Sequence, residues 1–201
     1  MKDYIVGLVF SSWQLSKLVS FFSEYLDSKN DDIGCLKIER FKDKKRGIVR
    51  DSNRTLILMK KPLFEKAIEA GLDYPQPNLD FRIAEYQIHV KSYPAEGYTT
   101  NLFIILSKTL SSQEVENGIL EKMKSFVDFG LLGNDEFQFK IPLESRFTGE
   151  HRGFAYLEFD PRVELNSRLL IKALLNDSFI YLKMSKKLYH LPVFWAKNKL
   201  Y

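Results

Sequence analysis

Eight consecutive residues carry the clearest chemistry in this chain: Arg152-Gly153-Phe154-Ala155-Tyr156-Leu157-Glu158-Phe159. If they form a strand, alternate side chains point to opposite faces. Gly153, Ala155, Leu157 and Phe159 then share one face, and Arg152, Phe154, Tyr156 and Glu158 share the other. Leu102 to Leu106 is a short apolar run suited to a neighbouring strand, and its parity sends Phe103 and Ile105 to the second face. Three rings standing in water form an unfavourable apolar patch unless something stacks on them. Nucleic-acid bases do so for roughly 1–3 kcal/mol each. Phe103, Phe154 and Tyr156 would hold two or three unpaired bases, with Arg152 placed for a phosphate. Lys140, Tyr181 and Lys183 would flank the face from the outer strands. The alternative chemistry for such a face is apolar contact with a protein or with another segment of this chain.

Such a face needs a sheet covered on one side only. The second half of the sequence supplies the elements in the order strand, helix, strand, strand, helix, strand. After Leu102–Leu106, Ser111-Ser112-Gln113-Glu114 offers a cap and an acidic first turn for a helix that Gly130 ends. Glu136 to Ile141 alternates apolar and polar residues, a strand with one wet face. Gly153 to Phe159 is the third strand, Pro161 opens the second helix, and Phe179 to Met184 is expected to be the fourth strand. The octapeptide resembles the signature K/R-G-F/Y-G/A-F-V-x-F/Y of the RNA-recognition-motif (RRM) family, with Tyr156 for Phe and Leu157 for Val. Leu102-Phe103-Ile104 stands where that family places its second signature, although Ile105-Leu106-Ser107 departs from the family's small or amide residues. The resemblance covers about ninety residues. It implies a four-stranded antiparallel sheet backed by two helices, whose open face binds single-stranded RNA.

The first half repeats the order of elements: Tyr4 to Phe10, a helix from Ser12 to about Ser28, Ile33 to Phe41, Thr55 to Met59, a helix from Pro62 to Ala70, and Phe81 to Val90. Leu15, Leu18, Val19, Phe22 and Leu26 give the first helix an apolar stripe. Ile5 to Leu56 and Phe103 to Phe154 each span the same distance along the chain, as two copies of one domain would. The likeness to the family is looser here, because Leu56 and Leu58 stand where Phe154 and Tyr156 stand in the second half, and Ile5 where Phe103 does. Leucine at those places suits a covered sheet or a protein partner better than a base. A basic stretch from Lys42 to Arg54, with Lys44, Lys45 and Arg46 at its centre, reads as a loop for sequence-independent phosphate contact. Its other readings are a solvated hairpin and a nuclear-import signal.

The expected architecture is therefore α+β. It has two tandem βαββαβ ferredoxin-like (RRM) domains: a degenerate RRM-like domain at 1–93, a linker at 94–100, an RRM domain at 101–190, and a tail at 191–201 whose apolar residues have two places to be buried, the aromatic sheet of the second domain or, the favoured one, the leucine-lined sheet of the first. With 45% hydrophobic residues, 28% charged and a net charge of +4, the chain has a core to bury and no basic tail. A lone Cys35 makes no internal disulfide and fits a reducing, intracellular setting, nuclear or cytoplasmic. No apolar run reaches the ~20 residues of a membrane span, and no signal-peptide pattern opens the chain. His89, His151 and His190 are scattered, without metal-ligand spacing. No phosphate-binding glycine loop and no framed nucleophile is present, so neither a cofactor nor an enzyme is expected. The expected partner is single-stranded RNA, with a protein partner through the first domain. The rival expectation is an interaction adaptor in a ribonucleoprotein complex, whose sheet faces bind protein.

Overall fold

The computed structural model describes residues 4–11, 13–29, 32–43, 48–74, 81–87, 92–175, 181–184 and 187–198. It contains two compact units, Met1–Gln87 with Asp128–Gly130, and Ile88–Val127 with Leu131–Tyr201. Each is built on its own four-stranded antiparallel sheet with two helices in βαββαβ order, so the α+β architecture of tandem RRM-like domains holds.

The first unit contains β1 (Tyr4–Ser11), α1 (Leu15–Leu26), β2 (Ile33–Asp43), β3 (Ile48–Lys60), α2 (Lys61–Glu69) and β4 (Phe81–Glu85), with strand order β2-β3-β1-β4. Alternation decides what each strand buries. Val9, Ile57, Met59 and Ile83 pack with Leu18, Phe22 and Leu26 of α1 and with Phe64 and Ala67 of α2, and Ile5 packs against this cluster. Val6, Leu8, Phe10, Leu56 and Leu58 therefore lie on the opposite face. The structure corrects the internal alignment by one residue: Val6, not Ile5, pairs with Leu58 as Phe103 pairs with Tyr156. It also shortens the basic loop, because β2 runs on to Asp43 and β3 starts at Ile48. Lys42, Arg50 and Arg54 are thus strand residues of a long hairpin. Lys44, Lys45 and Arg46 lie outside the described residues. Leu56 and Leu58 are buried.

The second unit contains β5 (Tyr98–Ile105), α3 (Ser112–Phe129), β6 (Phe137–Lys140), β7 (Phe154–Phe159), α4 (Leu165–Leu174), β8 (Tyr181–Met184), β9 (Lys187–His190) and β10 (Val193–Lys197). Its strand order β10-β5-β7-β6 repeats that of the first unit. Strand β5 begins at Tyr98, inside the expected linker. Helix α4 begins at Leu165 rather than at Pro161, because Asp160 accepts the Val163 N–H and holds the intervening residues in a turn.

The largest correction concerns the fourth strand. Residues 179–180 of the expected strand lie outside the described residues, and Tyr181–Met184 forms β8, which pairs with β9 in a separate hairpin; the edge beside β5 is taken by β10, inside the expected tail. The described part of the tail instead supplies the edge strand of the second unit's own sheet. Its apolar residues alternate as a strand requires up to Trp195: Leu191, Val193 and Trp195 are buried and Phe194 is out, and a register shift after Trp195 leaves Ala196 buried as well. The Trp195 indole Nε1–H donates to the Ser92 carbonyl at 3.0 Å, and the Ile105 N–H donates to the Pro192 carbonyl at 3.0 Å.

Candidate nucleic-acid interface

Burial confirms the parity of β7. Ala155, Leu157 and Phe159 are buried on the helix side, while Phe154 and Tyr156 are half-buried on the other. Antiparallel pairing places Phe103 opposite Tyr156 and Ile105 opposite Phe154. The three rings form a contiguous group. Phe103 lies 5.5 Å from Phe154 and 5.5 Å from Tyr156, and Phe154 lies 5.7 Å from Tyr156 nearly edge-on. Such tilted aromatic contacts favour one another beyond simple burial, and they leave the platform fixed before any ligand arrives.

A fourth ring belongs to this face and was missed in the sequence. Phe194 on β10 pairs directly with Phe103 and is 50% exposed. One row across the sheet therefore reads Phe194, Phe103, Tyr156, Lys140. The signal was present in the alternation of Val193-Phe194-Trp195, but assigning the edge to Phe179–Met184 hid it. Tyr181 and Lys183, expected to flank the platform, lie on the β8–β9 hairpin outside this sheet.

The cations differ from expectation too. Lys140 is on the expected face, yet its Nζ donates to the Glu158 carboxylate, so its charge is locally matched. Arg152 is exposed but precedes the strand, because Gly153 at φ +92 breaks the pleat. This explains the glycine of the octapeptide: an L side chain is strained in that conformation. The Gly153 N–H donates to Nδ1 of buried His151 at 3.0 Å, which leaves Nε2 as the N–H that meets the Leu110 carbonyl at 2.9 Å. The Gly153 carbonyl accepts the Leu106 N–H. His151 is thus a structural peg that fixes where β7 starts.

Nothing else among the described residues assembles into reactive chemistry. No group of three His, Cys, Asp or Glu side chains is positioned for a metal there. Burial pushes the Cys35 thiol up to about 12, which keeps it protonated and a poor nucleophile near neutrality. No described helix is long and apolar enough to cross a membrane.

No family model and no curated protein matches the sequence. Among solved structures, the chain is similar to RNA recognition domains 1 and 2 of Sex-lethal from Drosophila melanogaster, at 16% identity over 96% of this chain and 99% of that one, with a TM-score of 0.28. It is similar to the first two RRM domains of yeast poly(U)-binding protein, at 13% identity over 95% of this chain and 98% of that one, with a TM-score of 0.29. It is also similar to the three N-terminal RNA-binding domains of the yeast splicing factor Prp24, at 12% identity over 99% of this chain and 69% of that one, with a TM-score of 0.35.

Proposed function

We propose that this protein binds single-stranded RNA through the open face of its second sheet, with unpaired bases stacked on Phe103, Phe154 and Tyr156. The observation that carries this reading is the contiguity of the three rings, with centroids 5.5 to 5.7 Å apart on one exposed face. Phe194 extends the same row toward the edge of the sheet, enough for one further base. Bases are recognised by their π-faces here, so tolerance of sequence is the expected behaviour. Arg152 sits at the entry to β7 as a phosphate contact. Lys140 has to exchange its Glu158 partner for a phosphate before it contributes. Lys44, Lys45 and Arg46 add sequence-independent phosphate contacts from the first unit. Binding of mixed-sequence RNA oligomers by wild type and by Phe154→Ala and Tyr156→Ala tests the platform. Both substitutions are expected to weaken binding with little change in melting. Equal affinity for all three proteins, with protein capture retained, would instead support the adaptor reading.

A further inference from the structure

Strand β6 is an edge of the second sheet: it pairs with β7 on one side, and no described strand pairs with its other side. The Asp160 N–H donates to the Glu136 carbonyl, so Gln138 and Lys140 turn their backbone groups inward to β7, while Phe137 and Phe139 turn theirs outward. An edge that presents such groups is a template for a further strand. The hairpin continues past β6, where Leu143 bridges His151 and the Arg152 N–H donates to the Pro142 carbonyl. Beside this edge, on the helix side of the sheet, lies a groove of about 480 Å³. Its sheet wall is Phe139, Ile141 and Leu143, and its helix wall is Ser112, Gln113 and Glu116 of α3. The Ser112 hydroxyl donates to the Gly149 carbonyl at 2.6 Å and holds the hairpin against the helix. Leu143 is exposed, and Phe147 in the turn of the hairpin is fully exposed.

The rim of the groove is negative. Glu116 lies on its wall, and Glu144, Glu150 and Lys108 line the hollow that continues it past Thr148 and Gly149. Lys108 is matched by Glu144 at 3.1 Å, whereas no described cation matches Glu116 or Glu150, both exposed. Arg146 and Arg152 line neither hollow. The end of α3 does not add a counter-charge for the rim, because the Glu114 carboxylate already accepts the Ser111 N–H there. A groove that is apolar along the strand and acidic at its rim complements a basic partner.

From this geometry we infer that the β6 edge docks an extended segment of another protein, whose groove-facing side chains are apolar beside β6 and basic at its ends. The backbone of that segment pairs with Phe137 and Phe139 as an added strand. Its apolar side chains rest on Phe139, Ile141 and Leu143, and its basic ones meet Glu116 and Glu150. The inference stands apart from the RNA reading, because Phe103, Phe154 and Tyr156 lie on the opposite face of the sheet and none of them lines the groove.

The test is a titration of the full chain with the peptide Lys-Thr-Val-Thr-Val-Thr-Lys, whose symmetric pattern suits either strand direction. Its controls carry Glu in place of both Lys, or N-methyl groups at the valines or at the threonines. Affinity is read by fluorescence polarisation and amide hydrogen exchange by NMR. The peptide should slow exchange at Phe137 and Phe139 and leave Gln138 and Lys140, already in the ladder, nearly unchanged. One of the two methylated forms should lose binding, because an added strand uses alternate N–H groups. The Glu form should bind on the order of tenfold more weakly, since like charges at a rim repel. Glu116→Gln/Glu150→Gln should weaken the Lys form by about fivefold, the size of two exposed charge pairs, with unchanged melting. Exchange at Phe137 and Phe139 that no form of the peptide slows overturns the inference. So does binding that both methylated forms retain, because the backbone would then take no part. Equal affinity for the Lys and Glu forms, or for wild type and the glutamine pair, overturns the basic partner.

Discussion

The two sheets share a strand order and differ in what they offer to solvent. In the second, the row Phe194, Phe103, Tyr156, Lys140 is three rings and a cation already matched by Glu158. In the first, the row through Val6 and Leu58 is aliphatic, Leu56 and Leu58 are buried, and the polar chemistry collects at one end around Phe10. One sheet presents contiguous rings beside a locally matched cation; the other is aliphatic at its centre, with arginines gathered near Phe10 and Tyr4 exposed at the far end of β1. Stacking energy is short-ranged and almost independent of salt, whereas phosphate attraction is long-ranged and salt-dependent. The same fold can thus separate capture from grip by changing a few open-face residues while keeping its core.

What the sheets share should be broken most expensively. Met59 and Leu157 occupy matching places on the helix side of β3 and β7, and both are fully buried. Met59→Ala and Leu157→Ala are each expected to cost roughly 2–5 kcal/mol of stability, as lost burial plus a cavity. Denaturant melts check this. A wild-type melt for either variant means that the pleat of that strand is inverted, and the contrast between the open faces falls with it.

The next effect separates the faces. Tyr156→Ala should weaken RNA binding by roughly 1–3 kcal/mol without changing the salt slope, because a base contact is lost and no phosphate contact is. A reduced slope would mean that the second sheet works by charge after all. The matching substitution in the first unit, Leu58→Ala, removes a buried side chain, so it should appear in the melt and leave affinity unaltered in the folded protein.

How much of this contrast was legible in the sequence follows from what each signal depends on. The octapeptide was readable because period-two alternation and a glycine with positive φ are local properties. The exchange of leucine for aromatic residues was readable for the same reason. The fourth strand was not, since Phe179–Met184 and Val193–Lys197 have equal claims as strands. Pairing partners decide between them, and pairing is non-local. The Phe10 cluster was hidden likewise: Phe10, Arg54 and Arg82 meet only once the register of three strands is set. The one-residue slip between Ile5 and Val6 shows the cost of counting along a chain without that register.

Phe194 tests the corrected edge. It is half exposed and stands at the rim of the platform, so Phe194→Ala should cost roughly 1 kcal/mol of RNA affinity, the low end for a stacked base. The paired variant Trp195→Ala should instead lower stability, because that ring is buried and its indole N–H is bonded to Ser92. If both substitutions affected affinity alike and neither touched the melt, β10 would not be the fourth strand in solution.

The smallest expected effect bears on charge at the stacking sheet. Glu158 accepts from Lys140 on the open face, and both side chains are roughly half exposed. An exposed ion pair of this kind contributes about 0–1 kcal/mol to stability, so Glu158→Gln should leave melting nearly unchanged. Its effect on RNA should have the opposite sign from every other substitution above. The variant removes a negative charge beside Tyr156 and releases the Lys140 ammonium for a phosphate. Affinity should therefore rise by a few tenths of a kcal/mol at moderate salt, and the salt slope should steepen by about 0.7, one phosphate's worth. Adding Lys140→Gln should return the slope to its original value if Lys140 is the cation released. A steeper slope that survives this second change assigns the effect to the lost carboxylate alone. A slope that never moves places the RNA backbone away from β6, with the strand crossing the sheet on its Phe194 side.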